Sequence, residues 1–220
     1  MKKIFLALSI FVLGFSNQIL ADTLNSIQRI YEGNKDAKIT IITYESLTCG
    51  HCADFHNHIY PQLKKEFIDT GIVKIEFRHF PLDMAALNAS KIAQCNNNGK
   101  SDLLHFLFSN QKKWVIGETV EAVNENLKKF LKDENIVIDF EKCTNNKNIE
   151  DYVLNDRIEG VKKFKVNATP TIIINDKKFD KPLNYKNLKK NYKKTDIIFL
   201  WSLKKSNLMD LNLLPKKQIS

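Results

Sequence analysis

The chain has 220 residues, of which 43% are hydrophobic and 27% charged, as expected for a globular domain with or without a large insertion. Four cysteines are too few for a disulfide-rich scaffold, and seven glycines exclude a glycine-rich low-complexity chain. The formal charge of +9 does not indicate a nucleic-acid-binding body, because residues 22–185 carry 23 basic and 23 acidic side chains. The excess lies at the ends, chiefly in residues 186–220, where a basic tail either contacts an anionic surface or stays solvated.

The first 21 residues have the pattern of a secretory signal peptide. Two lysines precede an apolar run from Ile4 to Phe15, and a polar stretch then leads to Ala21, a small residue suited to cleavage. The apolar run is shorter than the roughly 20 residues that span a bilayer, which favours cleavage over an uncleaved anchor. We therefore expect a periplasmic protein, in an oxidising compartment where paired cysteines are stable.

The first predicted elements form a strand–helix–strand unit. The β-branched run from Lys38 to Tyr44 predicts the first strand. A helix follows, with Thr48 as its cap, apolar residues at helical spacing through Phe67, and a kink at Pro61. Residues 72–80 alternate as a second strand does, so the segment reads as a βαβ unit.

The remainder of the chain predicts a helical segment between two parts of one α/β domain. Residues 84–165 contain several helical patterns, one with Ser101 as its cap, and strand character returns after residue 166. The predicted organisation is a signal peptide, an α/β domain, a helical insertion and a basic tail of uncertain structure. Their bounds are 1–21, 22–83 with 166–193, 84–165 and 194–220.

The sequence Cys49-Gly50-His51-Cys52 lies where the predicted first strand meets the helix. Two intervening residues bring both sulfurs within bonding distance in the first helical turn. At a helix N-terminus, free N–H groups and the helix dipole favour an anion, and His51 adds a second donor and, when protonated, a positive charge. These effects lower the pKa of the Cys49 thiol, and the thiolate is the reactive species.

The size of that pKa change decides the direction of the chemistry. If the pKa of Cys49 is about 5 instead of about 8.5, its ionisation at pH 7 stabilises the reduced form by roughly 2.7 kcal/mol, or about 60 mV for a two-electron couple. A stabilised dithiol makes the disulfide a stronger oxidant. The motif therefore favours a disulfide donor.

Two closely spaced cysteines also occur in haem, zinc, copper and structural disulfide sites. A haem attachment site needs histidine after the second cysteine, where this chain has Ala53. A zinc site needs a second close pair of ligands, and neither Cys95 nor Cys143 has one. Copper delivery assisted by His56 or His58 and an inert structural disulfide remain open at this point.

The chain resembles the DsbA branch of the secreted thiol–disulfide oxidoreductases, which have a thioredoxin-like fold with an inserted helical domain. The resemblance covers about residues 37–188, and the motifs that carry it are Cys49–Cys52, Arg78–Leu82 and Val166–Thr171. In such proteins a threonine or valine precedes a cis-proline beside the active disulfide, which implies a substrate-binding Thr169–Pro170 bond; a trans proline that opens an ordinary strand is the alternative. Gly50-His51 is the dipeptide of protein disulfide isomerases, whereas DsbA more often has proline first.

The resemblance also implies roles for three further residues. Thioredoxin-like enzymes often carry a buried acid six residues before the first cysteine, where this chain has Thr43. Glu45 lies on the same face of the strand, and we expect it either to act as a proton relay for Cys52 or to be a solvated acid. Some DsbA relatives have a second bridge in the insertion, which implies a Cys95–Cys143 disulfide, with two free thiols as the alternative.

The expected function is donation of a disulfide to newly exported cysteine-containing polypeptides, with Cys49 and Cys52 as the redox group and no cofactor or metal. By resemblance, a DsbB-like quinone-linked membrane oxidase reoxidises the enzyme. Only about 17 residues (22–38) of the mature chain precede the first predicted strand, too few for a dimerisation domain, so we expect a monomer. The alternatives are a disulfide isomerase or reductase and a periplasmic copper-binding chaperone.

Overall fold

The computed structural model describes residues 27–96 and 98–191. The predicted signal peptide and the predicted basic tail at 194–220 lie outside these residues. The chain divides into two units, Met1–Phe179 and Asp180–Ser220. The first unit holds the sheet and the helical insertion, and in the second, residues 185–191 are helical.

A five-stranded sheet forms the centre of the first unit. The strands are β1 (Ile30–Glu32), β2 (Ile39–Glu45), β3 (Val73–His79), β4 (Thr171–Ile174) and β5 (Lys177–Lys178). Their order in the sheet is β1-β3-β2-β4-β5. Strands β2 and β3 are parallel, as the predicted βαβ unit requires, and the other neighbours pair antiparallel.

Strand β1 corrects the expectation that the first strand begins at Lys38. Among the described strands it pairs with β3 alone, in the register Ile30 to Phe77. Three residues are too few to give a detectable alternation of apolar and polar side chains. This edge strand is therefore recognised by its pairing with β3 and not by its own sequence.

Helix α1 follows β2 over residues 50–68 and changes its hydrogen-bonding pattern along its length. Two α-helical segments (Gly50–Asp54 and Tyr60–Leu63) alternate with two π-helical segments (Phe55–Ile59 and Lys64–Ile68). Pro61 has no N–H to donate, and the first π segment lies immediately before its turn. At the position of the predicted kink the structure thus has a local widening of the helix just before Pro61.

The segment after β3 is helical, as predicted for residues 84–165. Its helices are α2 (Met84–Gln94), α3 (Asp102–Ser109), α4 (Gln111–Trp114), α5 (Val120–Asp133), α6 (Phe140–Thr144) and α7 (Lys147–Phe164). None of the helices in the described ranges is both long and apolar enough to cross a membrane.

Of the two predicted helix caps, Thr48 is wrong, and Ser101 is the N-cap residue but makes no side-chain bond to its helix. Helix α1 begins after Cys49, without a side-chain cap, and the hydroxyl of Thr48 instead donates to Asp83 at 2.7 Å. Ser101 stands at the start of α3, but its hydroxyl donates to the Glu32 carboxylate and not to the helix. In both cases a carboxylate distant in sequence competes successfully for the hydroxyl that local propensity assigns to the cap.

Buried apolar side chains pack against strand β2 and position its carboxyl end, which precedes the cysteines. Tyr44 is fully buried in a cluster with Phe80 and Phe164, among others. Helix α7 approaches this ring closely at Gly160, where an added Cβ would lie 2.7 Å from Tyr44 Cε1. The carboxyl end of β2 is therefore tightly positioned by α7.

Candidate active site

Cys49 lies between the carboxyl end of β2 and the N-terminus of α1. Cys49 has extended backbone angles (φ −82°, ψ 118°), and the helix begins at the next residue. Cys49 and Cys52 are free thiols, the first half-buried and the second fully buried. The two sulfurs thus share one helical turn but differ in their access to solvent.

The environment of Cys49 stabilises its thiolate. A hydrogen bond from the Cys52 thiol is the main cause that lowers the pKa of Cys49 to about 5. The nearby Thr169 side chain and the backbone N–H groups of Cys52 and His51 act in the same direction, and partial burial opposes them. Cys49 is therefore an anion at neutral pH when the pair is reduced.

Cys52 has the opposite tendency. Burial is the main cause that raises its pKa, and the hydrogen bond to Cys49 and the negative charge of Glu45 act in the same direction. Cys52 consequently holds a proton whenever the pair is reduced, and that proton has to leave or arrive during each cycle of disulfide chemistry.

Thr169 and Pro170 lie beside the reactive sulfur. The peptide bond between them is cis, and Cys49 Sγ lies 3.4 Å from the Thr169 carbonyl oxygen. The structure thus brings together two segments that are 120 residues apart in the chain.

His51 contributes through its backbone. Its N–H is one of the donors that lower the pKa of Cys49, while its side chain is exposed to solvent. The role of the imidazole itself stays a prediction beside this main-chain interaction at the helix start.

Glu45 is buried, with 3% of its surface exposed, so its interpretation as a solvated acid is wrong. Its Oε2 lies 2.9 Å from His56 Nε2, and its Oε1 has no hydrogen-bond partner. A buried carboxylate oxygen without a partner is costly, which points to a use for it.

Comparison with known proteins agrees with this geometry. A protein-family model described as thioredoxin matches residues 25–194, which is most of the chain. The chain belongs to the thioredoxin family. Among solved structures, the crystal structure of Wolbachia pipientis alpha-DsbA1 is similar, with a TM-score of 0.67 and 29% identity, over 78% of this chain and 94% of that one. The chain is a DsbA-like member of the family.

Two curated relatives carry names from disulfide chemistry. A putative protein-disulfide oxidoreductase of Rickettsia bellii is 35% identical over 117 residues, covering 47% of this chain and 45% of the relative. Disulfide bond formation protein D of Bacillus subtilis is 27% identical over 179 residues, covering 74% of each chain. The chain thus spans about half the length or less of the Rickettsia relatives that it matches.

The inserted helices of this DsbA-like chain supply site residues that the sequence did not reveal. The Gln111 side-chain amide donates to the carbonyl oxygens of Leu47 at 2.8 Å and Cys49 at 3.0 Å. His105, also from the insertion, contacts His56. Neither residue belongs to a recognisable motif, and only the tertiary fold brings Gln111 to Cys49 and His105 to His56.

The remaining cysteines lie in the insertion. Cys95, just after α2, and Cys143, in α6, are joined in a disulfide with their Cα atoms 5.6 Å apart. This bridge ties two helices together, and its sulfurs are separate from the Cys49–Cys52 pair. Within the described ranges no group of three or more His, Cys, Asp or Glu side chains is placed to hold a metal ion.

Proposed function

We propose that this protein is a thiol–disulfide oxidoreductase that donates a disulfide to newly exported polypeptides. The observation that carries the proposal is the contrast between the two cysteines: Cys49 is half-buried with its pKa lowered to about 5, whereas Cys52 is buried with its pKa raised. The reduced form of such a pair is stable relative to the disulfide, since Cys49 is then a stabilised anion. The oxidised pair is therefore ready to accept electrons from a client dithiol.

The exchange proceeds in two steps. A client thiolate attacks Cys49 of the Cys49–Cys52 disulfide, the bond between the two enzyme sulfurs breaks, and Cys52 leaves and takes up a proton. A second client thiolate then attacks the client sulfur of the mixed disulfide, and Cys49 leaves as a thiolate. The client dithiol has lost two electrons and two protons, and the enzyme disulfide has gained two electrons.

The segment beside Cys49 that contains Thr169 and Pro170 is proposed to bind the client. In this proposal Thr169 and Pro170 hold the client backbone in extended form next to the sulfur, a strand-addition contact. The position of the Thr169 carbonyl, 3.4 Å from Cys49 Sγ, supports this role because a bound chain would run past both atoms.

The proposal extends to partners and location. The cysteine pair itself is the redox group, so a membrane oxidase of the DsbB type, linked to quinone, would regenerate the disulfide. The N-terminal pattern of two lysines, an apolar run and Ala21 supports export to the periplasm. We further propose that the protein acts as a monomer.

Glu45 is proposed as the acid–base group for Cys52. Its carboxylate acts on Cys52 electrostatically, and its unpartnered Oε1 is free to exchange a proton. In Glu45→Gln, we expect release of a Cys49–glutathione mixed disulfide by Cys52 to slow, because the amide takes up no proton. Asp54→Asn, which alters an exposed acid on α1, is the control. Equal rates across about pH 5 to 8 would remove Glu45 from the mechanism.

The function is tested by equilibrating the protein with glutathione, titrating Cys49, and offering the oxidised form to a reduced, unfolded client. We expect an oxidising potential and stoichiometric transfer of the disulfide, which Cys49→Ser abolishes. A potential near that of thioredoxin with an unshifted Cys49 would indicate a reductase, and reshuffling of wrong client bridges an isomerase. One tightly bound copper ion per chain with little exchange would indicate the copper chaperone.

A further inference from the structure

Four side chains form a continuous hydrogen-bonded row that starts at Glu45. Glu45 Oε2 lies 2.9 Å from His56 Nε2, and His56 Nδ1 lies 2.7 Å from His105 Nδ1. His105 Nε2 in turn lies 2.7 Å from Glu32 Oε1. Every nitrogen of both imidazole rings is therefore engaged within the row, which joins strands β2 and β1 through helices α1 and α3.

The row has two proton arrangements that satisfy all of its bonds. In the first, His105 is protonated on both nitrogens, neutral His56 donates from Nε2, and Glu45 is ionised. In the second, Glu45 is protonated and donates to His56 Nε2, His56 donates from Nδ1 to His105, and His105 is neutral. The two differ by the shift of one proton along each of two short hydrogen bonds, and both leave His105 donating to Glu32.

The inner end of the row is buried, and the charge of its Glu45 carboxylate acts on Cys52. The His56 side chain is fully buried and stacks on Phe108, with ring centroids 4.0 Å apart. Glu45 is 3% exposed, and its Oε1 is unpartnered. Water has little access here, so a proton that reaches or leaves Cys52 needs a route through side chains.

The outer end opens on a pocket. The His105 side chain is 19% exposed and lines, with Glu32 and Lys64, an open surface pocket of about 630 Å³. Burial alone would raise the pKa of Glu32, but hydrogen bonds from His105, Ser101, Tyr60 and Lys64 hold it below its usual range. Glu32 thus stays ionised and anchors the outer ring at the solvent boundary.

We propose that His56, His105 and Glu32 form a proton-transfer chain that connects Glu45, and through it Cys52, with solvent in the pocket at Glu32. The proposal rests on the proposed function, because only disulfide chemistry requires protons at Cys52. His56 and His105 act through Glu45 and do not touch the reacting sulfurs. The chain would serve the buried sulfur from a surface other than the one that receives the client.

The chain operates in both directions of the redox cycle. When a thiol attacks Cys49 and Cys52 leaves, protons shift from His105 to His56 and from His56 to Glu45, and Glu45 protonates the Cys52 sulfur. Both rings then turn over, so that the His56 N–H again faces Glu45 and the His105 N–H again faces His56, and His105 takes up a proton from the pocket on its outer nitrogen. When the pair is reoxidised, Cys52 gives its proton to Glu45 and the sequence runs in reverse. Electrons move only between sulfurs, and one proton crosses per passage.

Burial lowers the pKa of His56, which favours a neutral ring able to pass a proton without storing a charge. His105 is the ring closer to solvent and to Glu32. The titratable groups around the two rings, which a pH profile has to take into account, are Glu45 from β2, Glu32 from β1, Tyr60 and Lys64 from α1, and Asp102 from α3.

The experiment follows reduction of the oxidised protein by excess dithiothreitol, with acid quench and labelling of thiols, across about pH 5 to 8. His105→Ala interrupts the chain but leaves the Glu45–His56 contact in place. We expect it to slow reduction near pH 7 by about 100-fold, the lower end of the contribution from a positioned proton-transfer group. Added imidazole should enter the space beside the pocket and restore the rate.

The controls separate proton transfer from packing. Pyrazole has the shape of imidazole but is a far weaker base, so it should fill the same space without restoring the rate. His58→Ala removes a histidine whose side chain is 74% exposed on the same helix, and should leave the rate unchanged. If His105→Ala does not fold, His105→Gln keeps a polar side chain at this position and should show the same slow reduction.

The outcomes are distinct. A rate and pH profile equal to those of the unaltered protein, or equal rescue by pyrazole and imidazole, would overturn the proton chain while leaving disulfide donation standing. If the unaltered protein exchanges no disulfide with thiols, the proposed function fails, and the chain fails with it.

Discussion

Cys49 Sγ lies 3.4 Å from the carbonyl oxygen of Thr169, so the reactive sulfur and the residue before Pro170 are in direct contact. The Thr169 side chain also takes part, since it is one of the groups that lower the pKa of Cys49. The same residue therefore tunes the thiolate and, in the proposed function, faces the client.

Thr169→Val tests the tuning role. Valine keeps the shape of threonine but lacks its hydroxyl, which has no other partner among the described residues and favours the thiolate, so we expect the pKa of Cys49 to rise and the disulfide to become less oxidising. The ultraviolet absorbance of the thiolate, followed against pH, measures the first effect, and glutathione equilibration measures the second. Thr171→Val is the matched control, because the Thr171 hydroxyl donates to Ala168 and not to a cysteine. Identical titration curves for all three proteins would contradict the prediction.

The stability of the reduced protein should depend on pH through Cys49. Folding lowers the pKa of this thiol from 9.0 to about 5, so the thiolate contribution is complete above about pH 9 and fades as pH falls through 5. Urea unfolding of the reduced protein across this range measures the effect. In Cys49→Ala this part of the pH dependence should vanish, and parallel curves for the two proteins would argue against a stabilised thiolate.

Gly160→Ala should destabilise the fold. An added Cβ would lie 2.7 Å from Tyr44 Cε1, so either α7 or the buried ring has to move. Overpacking of this kind costs about 1–3 kcal/mol, which exceeds the roughly 0.5–1 kcal/mol that alanine gains over glycine in a helix. Gly50→Ala is the matched control, because no atom lies within 4 Å of a Cβ there. Chemical denaturation should therefore show a loss of stability at Gly160 and a small gain at Gly50.

Gln111→Ala should loosen the loop that carries Cys49. It removes the donor to the carbonyl oxygens of Leu47 and Cys49. The Cys49 oxygen keeps its backbone bonds from Cys52 and Ala53, but the Leu47 oxygen loses this partner, and a buried carbonyl left unpaired costs about 1–3 kcal/mol. We expect a lower unfolding midpoint and faster hydrogen exchange of the amides near Cys49. Gln62→Ala, which removes an exposed glutamine bonded to the His58 carbonyl, is the control. Comparable losses in the two variants would show that the insertion does not support this loop.

Local pattern predicted the elements that are long or buried. The βαβ unit follows from a β-branched strand, a helical repeat and an alternating strand, each readable in its own residues. Strand β1 was missed because an edge strand of three residues carries no period. Thr48 and Ser101 were assigned as caps because local propensity does not include the distant carboxylates of Asp83 and Glu32.

The site was predictable where its parts are adjacent in sequence. Cys49 and Cys52 follow from their spacing, and the position of Thr169 and Pro170 follows from the family resemblance. The roles of Gln111, His56 and His105 depend on packing between α1 and the insertion, which no spacing encodes. Lone histidines on helices are usually packing residues, and only the contacts distinguish this pair.

The bonds from Gln111 to Leu47 and Cys49 also bear on protein engineering. A minimal protein reduced to the sheet and α1 would keep both cysteines but lose the Gln111 side chain that binds the loop before them. For the same reason, transplanting the Cys-Gly-His-Cys tetrapeptide into another host would not carry its chemistry along. The inserted helices are therefore part of the active site and cannot be removed without affecting it.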